Sequence, residues 1–240
     1  MPQTRSISEH DRVNLSQNKS SHDSSNREKI QSDSKPIPTI RKILFLDLET
    51  DSNIDLKKNR NGYYTLCNIA QLGWQLRDSD DGFISHEGDC LIKPSGYILH
   101  QSDYHKITME EASKSGMPIT EALNGLLEAI RMADSIVTYN TDFDLKILQN
   151  HFNRYTTMDQ GKFPQLSNSA FCMMIHMANK YNHRKWLKLD RSYRLLMGKD
   201  MSDAHNALWD TIHLSELYFK ERLGITNIPE YLEKPKSRTI

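Results

Sequence analysis

Ile43-Leu44-Phe45-Leu46-Asp47-Leu48-Glu49-Thr50 is the stretch around which the chain is organised. Four apolar residues run directly into two acids separated by one leucine. An apolar run of this length reads as a central strand buried on both faces. Strand side chains alternate, so Asp47 and Glu49 face the same side. They lie roughly 6–7 Å apart at about 3.3 Å of rise per residue. Two carboxylates at the end of a buried strand repel each other and lose water, and a divalent cation relieves both penalties. Donors of this kind select Mg²⁺ or Mn²⁺. Acids also end strands at ordinary surfaces, so the pair alone leaves both readings open. Any further ligands must come from elsewhere in the chain.

The 240 residues suffice for one domain with a sizeable core and a tail. The hydrophobic share, 37%, is low for such a chain and points to a segment outside the core. Lys and Arg total 31, as do Asp and Glu, so the net charge is zero. That balance disfavours a protein that coats nucleic acid by charge alone, and it still allows a local basic patch. Cys67, Cys90 and Cys172 follow neither metal nor disulfide spacing and suit a reducing compartment. The amino terminus has no apolar leader, and no run is long enough to span a bilayer. The expected location is cytoplasmic, with no membrane partner.

Residues 1–38 hold nine serines and no aromatic residue. Such a segment cannot bury enough apolar surface to offset its ordering entropy, and it reads as a disordered polar arm. A folded domain is expected over 39–225, with a short tail at 226–240. After the first strand comes a polar stretch with Lys57, Lys58, Arg60, Tyr63 and Tyr64. Ile69 to Leu76 reads as a second strand, with Leu72, Trp74 and Leu76 alternating against Gly73 and Gln75. A turn follows at Asp78 to Gly82, then a third strand from His86 to Ile92. From Pro118 the apolar residues Ile119, Ala122, Leu123, Leu126, Leu127 and Ile130 fall at helical spacing. Ser135 to Tyr139 reads as a fourth strand, parallel to the first. Helices are expected over 143–155, 170–181 and 204–223, with a break at Gly198. Strands followed by alternating helices and strands indicate an α/β fold with a mixed sheet.

Two further acidic clusters stand where such a fold gathers its ligands, at the carboxyl ends of strands. The first is Asn140-Thr141-Asp142-Phe143-Asp144. Its acids could serve a metal site, but on the residues alone Asp142 or Asp144 reads first as a helix cap. The second is Asp203-Ala204-His205-Asn206-Ala207-Leu208-Trp209-Asp210. On one regular helix His205 and Asp210 would stand roughly 140° apart. They converge only if His205 sits on the entry to the helix, with Asp203 as the cap and Asp210 on the second turn.

Taken in order, these three motifs resemble those of the DnaQ-like DEDDh 3′–5′ exonucleases. Asp47-Leu48-Glu49-Thr50 matches the family's Asp-x-Glu-Thr. Asn140 to Asp144 matches its His-Asn-x-x-Phe-Asp, with Tyr139 standing where histidine is common. His205 to Asp210 matches His-x-Ala-x-x-Asp. The segments His105-Lys106-Ile107-Thr108 and Lys185 to Gly198 also resemble the family, and the likeness runs over about residues 40–223. It implies an RNase H-like mixed five-stranded sheet flanked by helices. It also implies two Mg²⁺ or Mn²⁺ ions held by Asp47, Glu49, Asp144 and Asp210, with Asp47 bridging and His205 as general base. The aspartate after phenylalanine is the family's ligand, which selects Asp144 over Asp142.

The activity implied is release of nucleoside 5′-monophosphates from 3′ ends of single-stranded nucleic acid, DNA foremost. RNA or short oligoribonucleotides are an alternative substrate, and a weakly active or polymerase-associated binding module is an alternative role. Leu48, Thr50, Asn140, Phe143 and His205 are the expected substrate contacts, with Thr50 and Asp51 at the pocket edge. Phe143, Trp186 and Trp209 also read as packing residues. Lys57, Lys58, Arg60, Arg184, Lys185 and Lys188 are candidate phosphate contacts, although such runs more commonly form a solvated face.

Overall fold

The computed structural model describes residues 41–51, 55–58, 64–65, 67–100, 102–156, 159–183 and 185–228, with the backbone alone at 55–58, 64–65 and 102. The expected polar arm, Arg60, Tyr63 and Arg184 lie outside the described residues. So do the side chains of Lys57, Lys58 and Tyr64, and the tail beyond residue 228.

In chain order the strands are β1 (Lys42–Thr50), β2 (Asp55–Lys58), β3 (Tyr64–Thr65), β4 (Ile69–Asp78), β5 (Ile84–Leu91), β6 (Ser135–Thr138) and β7 (Phe171–Cys172). The helices are α1 (Ser102–His105), α2 (Met109–Ser115), α3 (Ile119–Met132), α4 (Thr141–Tyr155), α5 (Phe163–Asn168), α6 (Met173–Lys180), α7 (Leu189–Met197) and α8 (Ala207–Tyr218). A π-helical turn, Phe219–Leu223, extends α8. Five strands form one mixed sheet in the order β5-β4-β1-β6-β7, and β2 pairs with β3 in a separate ribbon. β1 is central: antiparallel to β4, parallel to β6.

The alternation along β1 sorts the whole core. Its even-numbered residues, Leu44, Leu46 and Leu48, join the apolar faces of α3, α4 and α5. Its odd-numbered residues Ile43 and Phe45 join Met173 and Met177 of α6 and Leu214 and Leu217 of α8. Asp47 and Glu49 continue that odd-numbered row, so period two carries both acids toward the face covered by α8.

Several elements depart from the sequence expectations. β4 does not alternate between core and solvent: both of its faces are buried. Gln71, Gly73, Gln75 and Arg77 lie under or beside α8 and are satisfied by hydrogen bonds rather than water. Thr211 Oγ1 donates to the Gly73 carbonyl at 3.2 Å, and Ala207 N–H donates to Gln71 Oε1 at 3.1 Å. Arg77 donates to Gln75 Oε1 and to the Gly82 carbonyl.

Second, the helix expected from Ala170 starts at Met173, because Phe171 and Cys172 pair with Val137 and Thr138 as the edge strand β7. Third, α8 starts at Ala207 rather than Ala204, and its cap is Asn206 rather than Asp203. Asn206 Oδ1 accepts from Trp209 N–H at 3.1 Å. Fourth, α8 gives way to the π turn at Phe219 before the expected end at Leu223. Gly198 closes α7 as anticipated, in the left-handed conformation at φ 71°. Among the described residues no helix is long and apolar enough to cross a membrane.

Candidate metal centre

Three elements far apart in sequence deliver four carboxylates to one place. Asp47 and Glu49 end β1. Asp144 sits in the first turn of α4, directly after β6, whose carboxyl end lies beside that of β1. Asp210 comes from the first turn of α8, after the cap set by Asn206. Glu49, Asp144 and Asp210 are buried and Asp47 is half-buried. All four line one cleft of about 600 Å³.

Burial without compensating charge leaves its mark on their protonation. The Glu49 carboxyl is pushed up to about 8, first by desolvation and then by Asp210 and Asp144. Desolvation leads at Asp144 and Asp210 as well, each raised to about 7. Asp47 is raised well above the usual carboxylate range by loss of water, then by Asp144, Asp210 and Glu49 in turn. Asp47 therefore stands among the other three.

Asp142, the rival in the second motif, points the other way. Its side chain is 88% exposed and pairs with Lys146 at 3.4 Å, one helical turn on. Neither Asp142 nor Asp144 caps α4: the cap position is Asn140, whose side chain makes no capping bond.

His205 joins the acids because it stands before α8 rather than on it. Its backbone is left-handed at φ 70°, as is that of Asp203 at 46°, and its N–H donates to Asp210 Oδ2 at 3.3 Å. A non-glycine residue in this conformation is strained by about 1–2 kcal/mol. The turn brings a ring nitrogen of His205 within 4.8 Å of carboxylate oxygens of both Glu49 and Asp210. Burial, and then Lys188, lower the imidazole's affinity for a proton.

The donor set fits a hard divalent cation. It consists of carboxylates, which suit Mg²⁺ and Mn²⁺. Asp210 Oδ1 is buried with no hydrogen-bond partner among the described residues, the condition of an oxygen reserved for another ligand. Asp47, Glu49, Asp144 and Asp210 line this cleft together and could hold such an ion.

The expected substrate contacts Leu48, Thr50, Asn140 and Phe143 all line the cleft. Asp51 does not line it. It is buried, and its carboxylate accepts from Asn68 N–H at 2.7 Å and from Asn68 Nδ2 at 2.8 Å, so it braces the end of β1. The two tryptophans also divide. Trp209 packs on His213, whereas Trp186 is 62% exposed at the cleft wall, contrary to its reading as a packing residue. Lys188 lines the cleft too, and Lys185 is exposed nearby in sequence.

Two tyrosines make contacts that the sequence did not assign. Tyr139 Oη donates to the Leu187 carbonyl at 2.7 Å and is bonded to Ser192 Oγ at 2.7 Å, anchoring the segment that carries Trp186 and Lys188. Tyr104 packs its ring on His205 with centroids 4.1 Å apart. The resemblance at His105 to Thr108 drew attention to that segment, but nothing in it assigned a contact to Tyr104.

No protein-family model and no curated protein sequence matches the chain. Solved structures do. One of exonuclease I, whose subject is how processivity is achieved, superposes with a TM-score of 0.61 at 21% identity, over 77% of this chain and 42% of that one. E. coli exonuclease I with a dT13 oligonucleotide gives a TM-score of 0.59 at 21% identity, with the same coverage of both chains. The zinc-bound E. coli exonuclease I complex with single-stranded DNA also gives 0.59, over 76% of this chain and 41% of that one. The fold is RNase H-like. This RNase H-like chain spans less than half the length of the exonuclease I chains it matches.

Proposed function

We propose that this chain is a metal-dependent 3′–5′ exonuclease acting on single-stranded nucleic acid, DNA foremost, and releasing nucleoside 5′-monophosphates. The observation that carries the reading is the convergence of Asp47, Glu49, Asp144 and Asp210 in one cleft beside a histidine imidazole. A cluster of acids held this far from water repels a phosphodiester unless cations neutralise it. Two Mg²⁺ or Mn²⁺ ions, when bound, supply that positive charge and activate both the attacking water and the departing 3′ oxygen.

The chain's own residues do the rest. His205 accepts the proton of the attacking water at an imidazole nitrogen. Leu48, Thr50, Asn140 and Phe143 wall the pocket that receives the terminal nucleotide. Exposed Trp186 offers a ring for stacking and Lys188 a charge for a phosphate, the pairing that suits single strands. The choice of DNA follows the dT13 and dA16 complexes of exonuclease I, which has the same fold.

The test uses 5′-labelled single- and double-stranded DNA and RNA of defined 3′ end. With Mg²⁺ or Mn²⁺ the single-stranded DNA shortens stepwise from its 3′ end. Asp47→Ala abolishes shortening while circular dichroism and thermal unfolding stay those of a folded protein. Full activity in EDTA, or in Asp47→Ala, would overturn the proposal.

A further inference from the structure

We propose that Tyr104 is a positioning residue, whose ring holds the His205 imidazole in the orientation from which it serves the reaction. The inference rests on the exonuclease reading and adds a residue to that site. Among the described residues the His205 imidazole makes no hydrogen bond. Among the described residues the aromatic ring that packs on it is Tyr104, with ring centroids 4.1 Å apart and planes at 47°. The imidazole stands on a turn with two residues in the left-handed region, Asp203 and His205, which supplies strain rather than rigidity. A base on such a turn is directed by what packs against it.

Tyr104 lies in α1, close in sequence to two buried residues, Leu99 and Ile107. Leu99 and Ile107 are buried together with Ala70 and Ala112. Between them, buried His105 ties the segment to itself. Ile107 N–H donates to His105 Nδ1 at 3.1 Å, which makes Nδ1 the acceptor and leaves Nε2–H to donate to the His100 carbonyl at 2.9 Å. Lys106 adopts φ 63° to complete the turn. This arrangement holds a tyrosine 49% exposed at the wall of the acid-lined cleft. A half-exposed aromatic ring, set against an imidazole that makes no hydrogen bond among the described residues, is the geometry of a rest.

The decisive experiment compares Tyr104→Ala, Tyr104→Leu, Tyr104→Phe and His205→Ala in the full chain. Each is assayed for steady-state kinetics on single-stranded DNA and for the NMR signals of the His205 ring. Tyr104→Ala is expected to lower kcat about 10-fold or more with KM within about 2-fold, since misplacement by an ångström can cost two orders of magnitude. Tyr104→Phe, which keeps the ring, recovers most of that rate. The His205 ring protons lose their upfield displacement in Tyr104→Ala and keep it in Tyr104→Phe. Tyr104→Leu fills the same space without a ring current, so it separates lost packing from misfolding.

Three results overturn the proposal. A raised KM with kcat retained in Tyr104→Ala makes Tyr104 a nucleobase platform. A Tyr104→Phe as slow as Tyr104→Ala makes the hydroxyl the working group. His205 signals that do not move mean that the rings do not touch. If wild-type protein and His205→Ala are equally inactive with metal, the exonuclease reading fails by itself. The NMR comparison still decides whether Tyr104 orients His205.

Discussion

Gly73→Ala places one methyl group where β4 meets the start of α8. A Cβ at residue 73 would stand 2.4 Å from the carbonyl carbon and oxygen of Ala207 and 2.4 Å from Leu208 N. All three are backbone atoms, so no side chain can swing aside. Ordinary contact begins near 3.4 Å, and α8 must retreat by about 1 Å to reach it, a displacement comparable to overpacking a core. The retreat stretches the Thr211 and Ala207 hydrogen bonds to β4 and carries Asp210 and His205 away from Asp47 and Glu49. Overpacking of this kind costs about 1–3 kcal/mol, or a fall of about 3–10 °C in Tm for a domain of this size. Activity should fall by about 100-fold from the displacement alone.

Gly125→Ala is the internal control. It lies inside α3 with Trp74 no nearer than 3.4 Å, and alanine there should add about 0.5–1 kcal/mol through helix propensity. Differential scanning fluorimetry and the oligonucleotide assay report both effects. If Gly73→Ala matches wild type in both, the claim that close approach at this glycine sets the position of the acids is refuted.

Two further outcomes are expected. In EDTA the protein should lose stability as pH rises from 7 to 8.5. Glu49 at about 8, and Asp144 and Asp210 at about 7, hold protons in the folded state that the unfolded chain has already released. The stabilisation is complete below pH 4 and is lost as pH climbs through 7 and 8. Integrated over this window it amounts to about 2 kcal/mol, or about 4–8 °C in Tm. Saturating Mg²⁺ should suppress the fall, and a Tm in EDTA that does not decline across this window contradicts the picture of a strained acid cluster. Tyr139→Phe should lower Tm by about 4–8 °C through loss of its two hydrogen bonds, at about 1 kcal/mol each, and should expose residues 185–190 to faster proteolysis. Wild-type behaviour in both measurements would show that the hydroxyl does not anchor the Trp186 segment.

What could be read in advance divides along physical lines. β1 was legible because an apolar run ending in acids has one economical placement, and period two fixes which side chains share a face. The convergence of Asp47, Glu49, Asp144, His205 and Asp210 followed from motif order, whereas residue geometry alone left Asp142 and Asp144 equivalent. Their difference is burial, which depends on how α4 leaves β6. The second face of β4 was not legible. Gln71, Gln75 and Arg77 look like a solvated edge, and only tertiary hydrogen bonds make their burial tolerable. β7 was missed because a pair of residues has no period to detect. The contacts of Tyr139 and Tyr104 were not legible because their partners lie far off in sequence, Leu187 and Ser192 for one and His205 for the other.

The polar seam between β4 and α8 has a further consequence. An interface of leucines alone would tolerate several offsets of a helix along a strand at similar energy, because apolar contact is not directional. Here Arg77 is fully buried, with the carboxylates of Glu87 on β5 and Glu216 on α8 favouring its charge, and Glu216 also accepts from Tyr193 of α7. Sliding α8 by one turn would carry Glu216 away from that guanidinium and break the Ala207 and Thr211 hydrogen bonds to β4, so the neighbouring offsets are disfavoured. The seam thus acts as a keyway. It contributes little to net stability, but it favours a single alignment of helix on sheet, and that alignment delivers Asp210 to Asp47.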